Sequence, residues 1–271
     1  MKTALVTGAS RGIGREAAIR LASDGYKVFA CARDKSRLAS LEDLGITVYS
    51  CDVADEKSVD AMFDALAAST DSLDVLVNNA GVAHLGLLQD MTLDEWNHVL
   101  STNLTGAFLC ARRAIPMMLK RSHSQCAYAQ HVSTPREGSE AEASGAFSHD
   151  RVGSSTPSGS IINISSMWGE RGASMEVGYS ASKGGLNAFT KALSKELAPS
   201  RIRVNAILCG VIDTSMNDLL DPEDKASLVD QIGEGRFGTP EDVASLVSFL
   251  ASDKSSYLTG ALIPLDGGFV G

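Results

Sequence analysis

The sequence predicts a doubly wound α/β fold, a seven-stranded parallel sheet with helices on both faces. Three observations predict it. Short runs rich in β-branched and apolar residues alternate with helical patterns along the 271 residues. Most of these runs are near-continuously apolar, as strands covered on both faces must be. The first run feeds straight into a glycine-rich turn, Thr7-Gly8-Ala9-Ser10-Arg11-Gly12-Ile13-Gly14, which opens a helical pattern. A turn of this kind between a first strand and a first helix is the start of a Rossmann-type sheet.

The elements follow in order. Strands are expected at residues 4–7, 27–32, 47–51, 75–78, 160–164, 203–208 and 261–265. Helical spacing of apolar residues places helices at 13–23, 56–68, 104–120, 181–198 and 240–251. Thr239-Pro240-Glu241-Asp242 has the form of a helix start, with a hydroxyl N-cap and proline at the first helical position. Alternation of this kind implies right-handed βαβ crossovers in one domain spanning 1–271. One stretch breaks the pattern. Residues 122–158 are rich in Ser, Gly, Ala, His and Glu without periodicity, and are expected to be an irregular insertion before the fifth strand. Because it enters at that strand's N-terminal end, it is expected on the face opposite the ligand site.

Composition narrows the function. A net charge of −9 without a basic patch argues against nucleic acid as a partner. No apolar run is long enough to span a bilayer, and Met1 leads directly into a strand, so a cytoplasmic protein is expected. The five cysteines are scattered and odd in number, which fits reduced thiols. His123, Cys126, His131 and His149 cluster in or beside the insertion, but their spacing fits no zinc pattern, and no metal is expected.

The glycine-rich turn is suited to a pyrophosphate. Glycines at positions 8, 12 and 14 let the backbone approach closely, and the following helix N-terminus favours negative charge. The spacing differs from the common G-x-G-x-x-G fingerprint, so alone it also fits a tight strand-to-helix turn. Gly8, Ser10, Arg11, Gly12, Ile13 and Gly14 are the candidate phosphate contacts. At the end of the second strand, an acid would bind the ribose 2′-hydroxyl of NAD. Ala32 stands there, followed by Arg33. A guanidinium grips a 2′-phosphate that a carboxylate would repel, so Arg33, helped by Arg11, predicts NADP(H). The alternatives are that both arginines are solvated charges and that Asp34 serves as the acid. Asp52 and Val53 end the third strand, where an adenine edge belongs. Asn79, Ala80 and Gly81 end the fourth, with room for a flat cofactor.

Ser166, Tyr179 and Lys183 carry the chemistry. Tyr179 and Lys183 are four apart on one helix face. An ammonium roughly 5 Å from a phenol contributes about 3 kcal/mol at an effective dielectric of about 20. That predicts a phenol pKa lowered by about two units from about 10. Ser166 would donate a hydrogen bond to a substrate oxygen and steady alkoxide-like charge. Asn103 is expected to open a helix and to hold a water behind Lys183.

With these residues in place, the chain resembles the single-domain short-chain dehydrogenases/reductases. The resemblance rests on residues 7–14, Asn78-Asn79-Ala80-Gly81, Asn103, Ile161-Ile162-Asn163-Ile164-Ser165-Ser166 and Tyr179-Ser180-Ala181-Ser182-Lys183. Arg203-Val204-Asn205-Ala206-Ile207 and Leu265-Asp266-Gly267-Gly268 make it most similar to members of the 3-oxoacyl-carrier-protein reductase kind. The resemblance covers nearly all of the chain except 122–158. It implies Tyr179 as general acid/base, Lys183 as ribose ligand and tuner of the tyrosine, Ser166 as carbonyl-orienting group and Asn103 as support for a proton relay. It also implies nicotinamide contacts from Ile212 and Thr214, and a homotetramer or homodimer built on the helices at 104–120 and 181–198. The expected reaction is reversible reduction of a small-molecule ketone to a secondary alcohol with NADPH, carrier-bound acyl thioesters included. A polyol dehydrogenase and a dinucleotide-sensing scaffold are the alternatives.

The chain departs from the family pattern in the insertion and at Cys209-Gly210, where Pro-Gly is usual. A thiol near the nicotinamide, or a small turn residue, are the two readings of Cys209. Substrate choice is expected from 84–88, 167–177 and 214–236. Trp168 and Met175 would form an apolar wall with Glu170 and Arg171 at its rim, and 215–235 a closing flap.

Overall fold

A computed structural model describes residues 1–125, 159–217 and 221–270. Seven parallel strands form one sheet in the order β3-β2-β1-β4-β5-β6-β7. In chain order the elements are β1 (Thr3–Thr7), α1 (Gly12–Ser23), β2 (Lys27–Ala32), α2 (Ala39–Glu42), β3 (Thr47–Ser50), α3 (Glu56–Ser69) and β4 (Val75–Asn78). There follow α4 (Leu93–Leu100), α5 (Gly106–Gln125), β5 (Gly159–Ser166), α6 (Trp168–Arg171), α7 (Val177–Leu197), β6 (Ile202–Cys209), α8 (Pro222–Asp230), α9 (Pro240–Ala251) and β7 (Leu262–Leu265). The predicted doubly wound sheet is therefore the observed one. Its strand order reverses between β1 and β4, which places a crevice at the carboxyl ends of those strands.

β1, β4, β5 and β6 are buried along their whole length. This is the physical reason for their continuous apolar runs. One core lies on the α1 and α9 side of the sheet and contains Val6, Ala17, Ile162, Ile207 and Val247. The other lies under α3 and α5 and contains Leu5, Phe29, Phe63, Leu76, Met118 and Ile161. The start of α9 is the predicted one. Thr239 Oγ1 accepts from Asp242 N, the Asp242 carboxylate accepts from Thr239 N, and Pro240 takes the first helical position.

Three expectations change. β5 and β6 extend through Ser166 and Cys209, so Ser166 lies inside a strand end. Asn103 does not open a helix. It lies in a π-helical turn, Ser101–Thr105, within a helical run from Leu93 to Gln125. Such a widened turn is common at functional sites, because it re-aims one side chain without ending the helix. The third change concerns the expected insertion at 122–158. Its first residues continue α5 to Gln125, and residues 126–158 lie outside the described residues, with Cys126, His131 and His149. The side chain of His123 also lies outside them. The flanks meet β5 at Gly159, whose backbone abuts Met118 and Asp74 at the N-terminal end of the strand. Among the described residues, no helix is long and apolar enough to cross a membrane, and no cluster could hold a metal ion.

Candidate active site

The glycine loop sits between β1 and α1 and is shaped by close backbone packing. Gly8 and Gly12 have φ of +66° and +53°, a region that L side chains avoid. A Cβ on Gly8 would come 2.7 Å from Ala80 Cα. Thr7 and Asn79 fix the loop to β4: Thr7 Oγ1 accepts from Asn79 N and Ala80 N, and Asn79 Nδ2 donates to Thr7 O and Gly8 O. Arg11 at the start of α1 is extended, and its side chain makes no capping hydrogen bond. The first N–H groups of α1 therefore keep no side-chain partner, as an anion-binding helix start requires. Ser10 is half-buried beside them, and Ile13 packs onto the core.

Arg11 follows β1 and Arg33 follows β2, two adjacent parallel strands, and both side chains are exposed. Asp34, the alternative acid, is already committed. Its carboxylate accepts from Ser36 N at 3.0 Å and Ser36 Oγ at 2.6 Å, which holds it below the usual carboxylate range. Asp52 accepts from Ala54 N, and Val53 packs against Gly106. Val53 therefore has only its backbone to offer a ligand. The methyl of Thr214 faces Gly12, so the segment after β6 meets the glycine loop. Ile212 is buried and bridges to Gly238.

Ser166, Tyr179 and Lys183 meet where β5 ends and α7 begins. Ser166 Oγ lies within electrostatic reach of the Tyr179 hydroxyl and accepts from Trp168 N at 3.2 Å. Lys183 Nζ lies 5.6 Å from the Tyr179 ring centroid and donates to Ile164 O at 2.8 Å. Gly81 opens onto the same place, since a Cβ there would lie 3.4 Å from Asn103 Oδ1 and 3.5 Å from Lys183 Nζ. Asn103 Oδ1 accepts from Val82 N, while its Nδ2 donates to Val82 O and Ser182 Oγ. The Asn103 side chain is thus engaged by protein groups on both its oxygen and its nitrogen. Ser182, which precedes Lys183, donates in turn to Tyr179 O.

The electrostatics correct the expected tuning. Burial pushes the Tyr179 phenol well above its ordinary range; the Ser166 hydroxyl opposes this, and Cys209 and Glu176 add to it. Burial also pushes the Lys183 ammonium down to about 8, with Cys209 opposing. The lysine does not bring the phenol down in this state, because its own charge is disfavoured and its proton is turned to Ile164. Cys209 pairs in register with Ser166 and is buried, its thiol pushed up to about 12 by burial. It lies within electrostatic reach of both Tyr179 and Lys183, and an unionised thiol adds little charge there.

Two contributors carried weak sequence signals. Asn187, one turn beyond Lys183, accepts from Ser165 Oγ at 2.7 Å and locks α7 to β5. The 179, 183, 187 spacing on one helix face marks it. Phe269 packs edge-on against Trp168 at 5.7 Å, so Trp168 turns toward a small core rather than forming a wall with Met175. Met175 is exposed at φ +63°, and its carbonyl accepts from Gly86 N. Residues 215–235, the expected flap, contain the exposed helix α8, and 218–220 lie outside the described residues.

Comparison with known proteins agrees with this geometry. Residues 2–127 match the family model "short chain dehydrogenase", and residues 144–270 match "Enoyl-(Acyl carrier protein) reductase". The chain belongs to the short-chain dehydrogenase/reductase family. It is 38% identical over 275 residues to the 3-oxoacyl-[acyl-carrier-protein] reductase FabG of Staphylococcus aureus (strain Mu50 / ATCC 700699), covering 98% of this chain and 97% of that one. The Aquifex aeolicus (strain VF5) FabG is 35% identical over 274 residues, covering 98% and 96%. A crystal structure of a putative short-chain alcohol dehydrogenase from Sinorhizobium meliloti 1021 superposes with a TM-score of 0.81 at 33% identity, covering 98% of this chain and 95% of that one. This short-chain dehydrogenase/reductase is an oxidoreductase built on the Rossmann-type sheet described above.

Proposed function

We propose that the chain is an NADPH-dependent carbonyl reductase, converting a ketone to a secondary alcohol, with 3-oxoacyl thioesters in its substrate class. The observation that carries this reading is the meeting of Ser166, Tyr179 and Lys183 beside Gly81, on the same end of the sheet as an uncapped glycine loop. A binding protein has no use for a buried phenol and a buried ammonium held together, given what their burial costs.

The residues present fit the cofactor. The N–H groups opening α1 and the backbone of residues 8–14 would take the pyrophosphate. Arg33 and Arg11 would take the 2′-phosphate, which Asp34, folded onto Ser36, is not placed to repel. Asp52, the Val53 backbone, and Asn79 to Gly81 would border the adenosine and the ribose. Ile212 and Thr214 would border the nicotinamide. A bound reduced nicotinamide supplies the hydride.

Ser166 Oγ–H donates to the substrate carbonyl oxygen and polarises it. Tyr179, kept protonated by its surroundings, delivers its O–H proton to the same oxygen as negative charge develops there. Lys183 Nζ, beside the Tyr179 ring, would serve as the ribose ligand and would supply positive charge there. Asn103 acts through Ser182, fixing the turn of α7 that presents both catalytic side chains. Assembly as a dimer or tetramer through α5 and α7 belongs to this proposal, and exposed Phe108, covered by Arg112, lies on that surface.

The test is NADPH oxidation against a panel of 3-oxoacyl thioesters, quinones and ketoses, with Tyr179→Phe beside the unaltered chain. Turnover of at least one carbonyl by the unaltered chain is expected. The variant should lose about 10²–10⁴-fold in kcat while binding NADPH normally in a fluorescence titration. Equal turnover by the two proteins would remove Tyr179 from the mechanism.

A further inference from the structure

Ser166 ends β5, and the chain turns at once. Met167 N donates to Cys209 O at 3.0 Å, and Trp168 N donates to Ser166 Oγ at 3.2 Å. The position of the serine hydroxyl therefore depends on where Trp168 is held. Trp168 begins α6, a single turn of four residues, too short to hold its own shape. Something outside it must fix it.

That support comes from residues 266–270. The Phe269 ring meets Trp168 edge-on, at 5.7 Å between centroids and 90° between planes. Arg171, at the other end of α6, lies over the same ring at 5.7 Å. Its Nη1 donates to Phe269 O at 3.0 Å, and its Nη2 lies 3.6 Å from Asp266 Oδ2. Phe269 is 4% exposed although Val270 beside it is 81% exposed. With Met167 and Ile232 it forms a small core distinct from the two that flank the sheet, joined by Trp168, Val211, Leu228 and Phe237.

The same segment is stitched to the residues that follow α8. Ile232 and Phe269 form an antiparallel bridge. Val270 N donates to Gln231 O at 2.9 Å, Glu234 N to Gly267 O at 2.9 Å, and Gly233 N to Gly268 O at 3.3 Å. Gly267 has φ +64°, and a Cβ there would meet Ile232 Cγ2 at 2.8 Å. One aromatic ring thus joins the turn after β5, the loop after β6 and the segment after α8.

We propose that Phe269 and Arg171 form a positioning clamp that sets the orientation of Ser166 through Trp168. The clamp touches no substrate atom. It acts on the serine, so its kinetic consequence rests on the role given to Ser166 above.

The test compares Phe269→Ala, Phe269→Tyr and Arg171→Met in the full chain. It measures kcat and KM separately for the best ketone, NADPH affinity by titration, and Trp168 emission in a Trp96→Phe background. Phe269→Ala should lower kcat about 10–100-fold, as a small misplacement of a catalytic group does. Its NADPH affinity should hold, and its Trp168 emission should shift to the red as the indole meets water. Phe269→Tyr keeps the ring and should recover most of kcat. Arg171→Met should move the same readouts less far, and it decides the matter if Phe269→Ala does not fold. Unaltered kcat with lowered thermal stability would reduce Phe269 to packing and overturn the clamp. So would NADPH affinity falling in step with kcat. If the unaltered chain reduces no carbonyl, the proposed function fails, while unchanged Trp168 emission in Phe269→Ala would independently sink the clamp.

Discussion

At the ends of β1 and β2, the groups offered to a ligand are main-chain N–H groups and two exposed guanidinium side chains. At the ends of β5 and β6 they are side chains that the fold has taken out of water, with Ser166 at 5% and Lys183 at 4% exposure. The first region recognises with backbone and with charges left in solvent. Its geometry depends on having no side chain in the way. The second region, to which the proposed function assigns the chemistry, holds ionisable groups whose burial is unfavourable and whose proton affinities it displaces. Surface charge costs the protein little and contributes modestly; buried charge costs more and is retained for what it does. Substitutions on the two sides should therefore fail differently.

The largest difference is expected at Lys183. Its folded pKa of about 8 lies below its ordinary 10.5, so the charged form is disfavoured by on the order of 3 kcal/mol. Between about pH 8 and 10.5 the unfolded chain binds more protons at this lysine than the folded one, so stability contributed here rises with pH. Below pH 8 the whole penalty is present. The raised phenol of Tyr179 works the other way, but only above its ordinary value of 10. Lys183→Met should lower kcat about 10³-fold, yet leave a protein whose stability at pH 7 is no lower than that of the unaltered chain. Loss of the bond to Ile164 O offsets part of the gain. Thermal melts from pH 7 to 10 should show the variant's relative advantage shrinking as pH rises. A constant or widening gap would mean that Lys183 is not a buried charge held against its preference.

On the other side, the sensitive position has no ionisable group. A methyl on Gly14 would overlap Asn79 Nδ2 and lie 2.5 Å from Gly8 O. Asn79 holds the loop through Thr7 O and Gly8 O, so it cannot yield without releasing those carbonyls. Gly14→Ala should cost about 1–3 kcal/mol of stability, as overpacking does, and weaken NADPH binding along with it. A variant with unchanged melting temperature and unchanged affinity would show that this loop has slack.

The contrast also explains what the sequence could disclose. Strand positions were legible because strands buried on both faces need unbroken apolar runs, and β2 and β4 fall where those runs do. The members of the candidate site were legible as residue types at fixed spacing: Gly8, Gly12 and Gly14, then Ser166, Tyr179 and Lys183. Their energetics were not. The Coulomb attraction between an ammonium and a phenol can be estimated from spacing alone. The desolvation that outweighs it depends on what β5, β6 and α7 wrap around the pair. The π-helical turn at Asn103 was hidden for a related reason, since helical periodicity reads the same through a single widened turn. Phe269 was missed because its partners, Trp168 and Arg171, lie about a hundred residues away in sequence. No local pattern reports such a contact.

The smallest effect should come from Arg33, and it sharpens the comparison most directly. The side chain is exposed, so the chain gives up nothing to hold its charge, and removing it should leave stability unchanged. What it should lose is recognition of a doubly charged phosphate. Charge-assisted hydrogen bonds of this kind are worth about 1.5–3 kcal/mol, and exposure places this one at the low end. Arg33→Ala should therefore weaken NADPH about tenfold at low ionic strength and leave NADH binding where it was. Added salt should narrow the difference between variant and unaltered chain, because the charge it removes is open to screening. Lys183 gives the opposing case: a buried group should show little salt dependence in the same titrations. If Arg33→Ala weakens NADH and NADPH alike, the arginine supports the fold of the loop after β2 rather than reading the phosphate. The choice of cofactor would then have to lie elsewhere along the ends of β1 and β2.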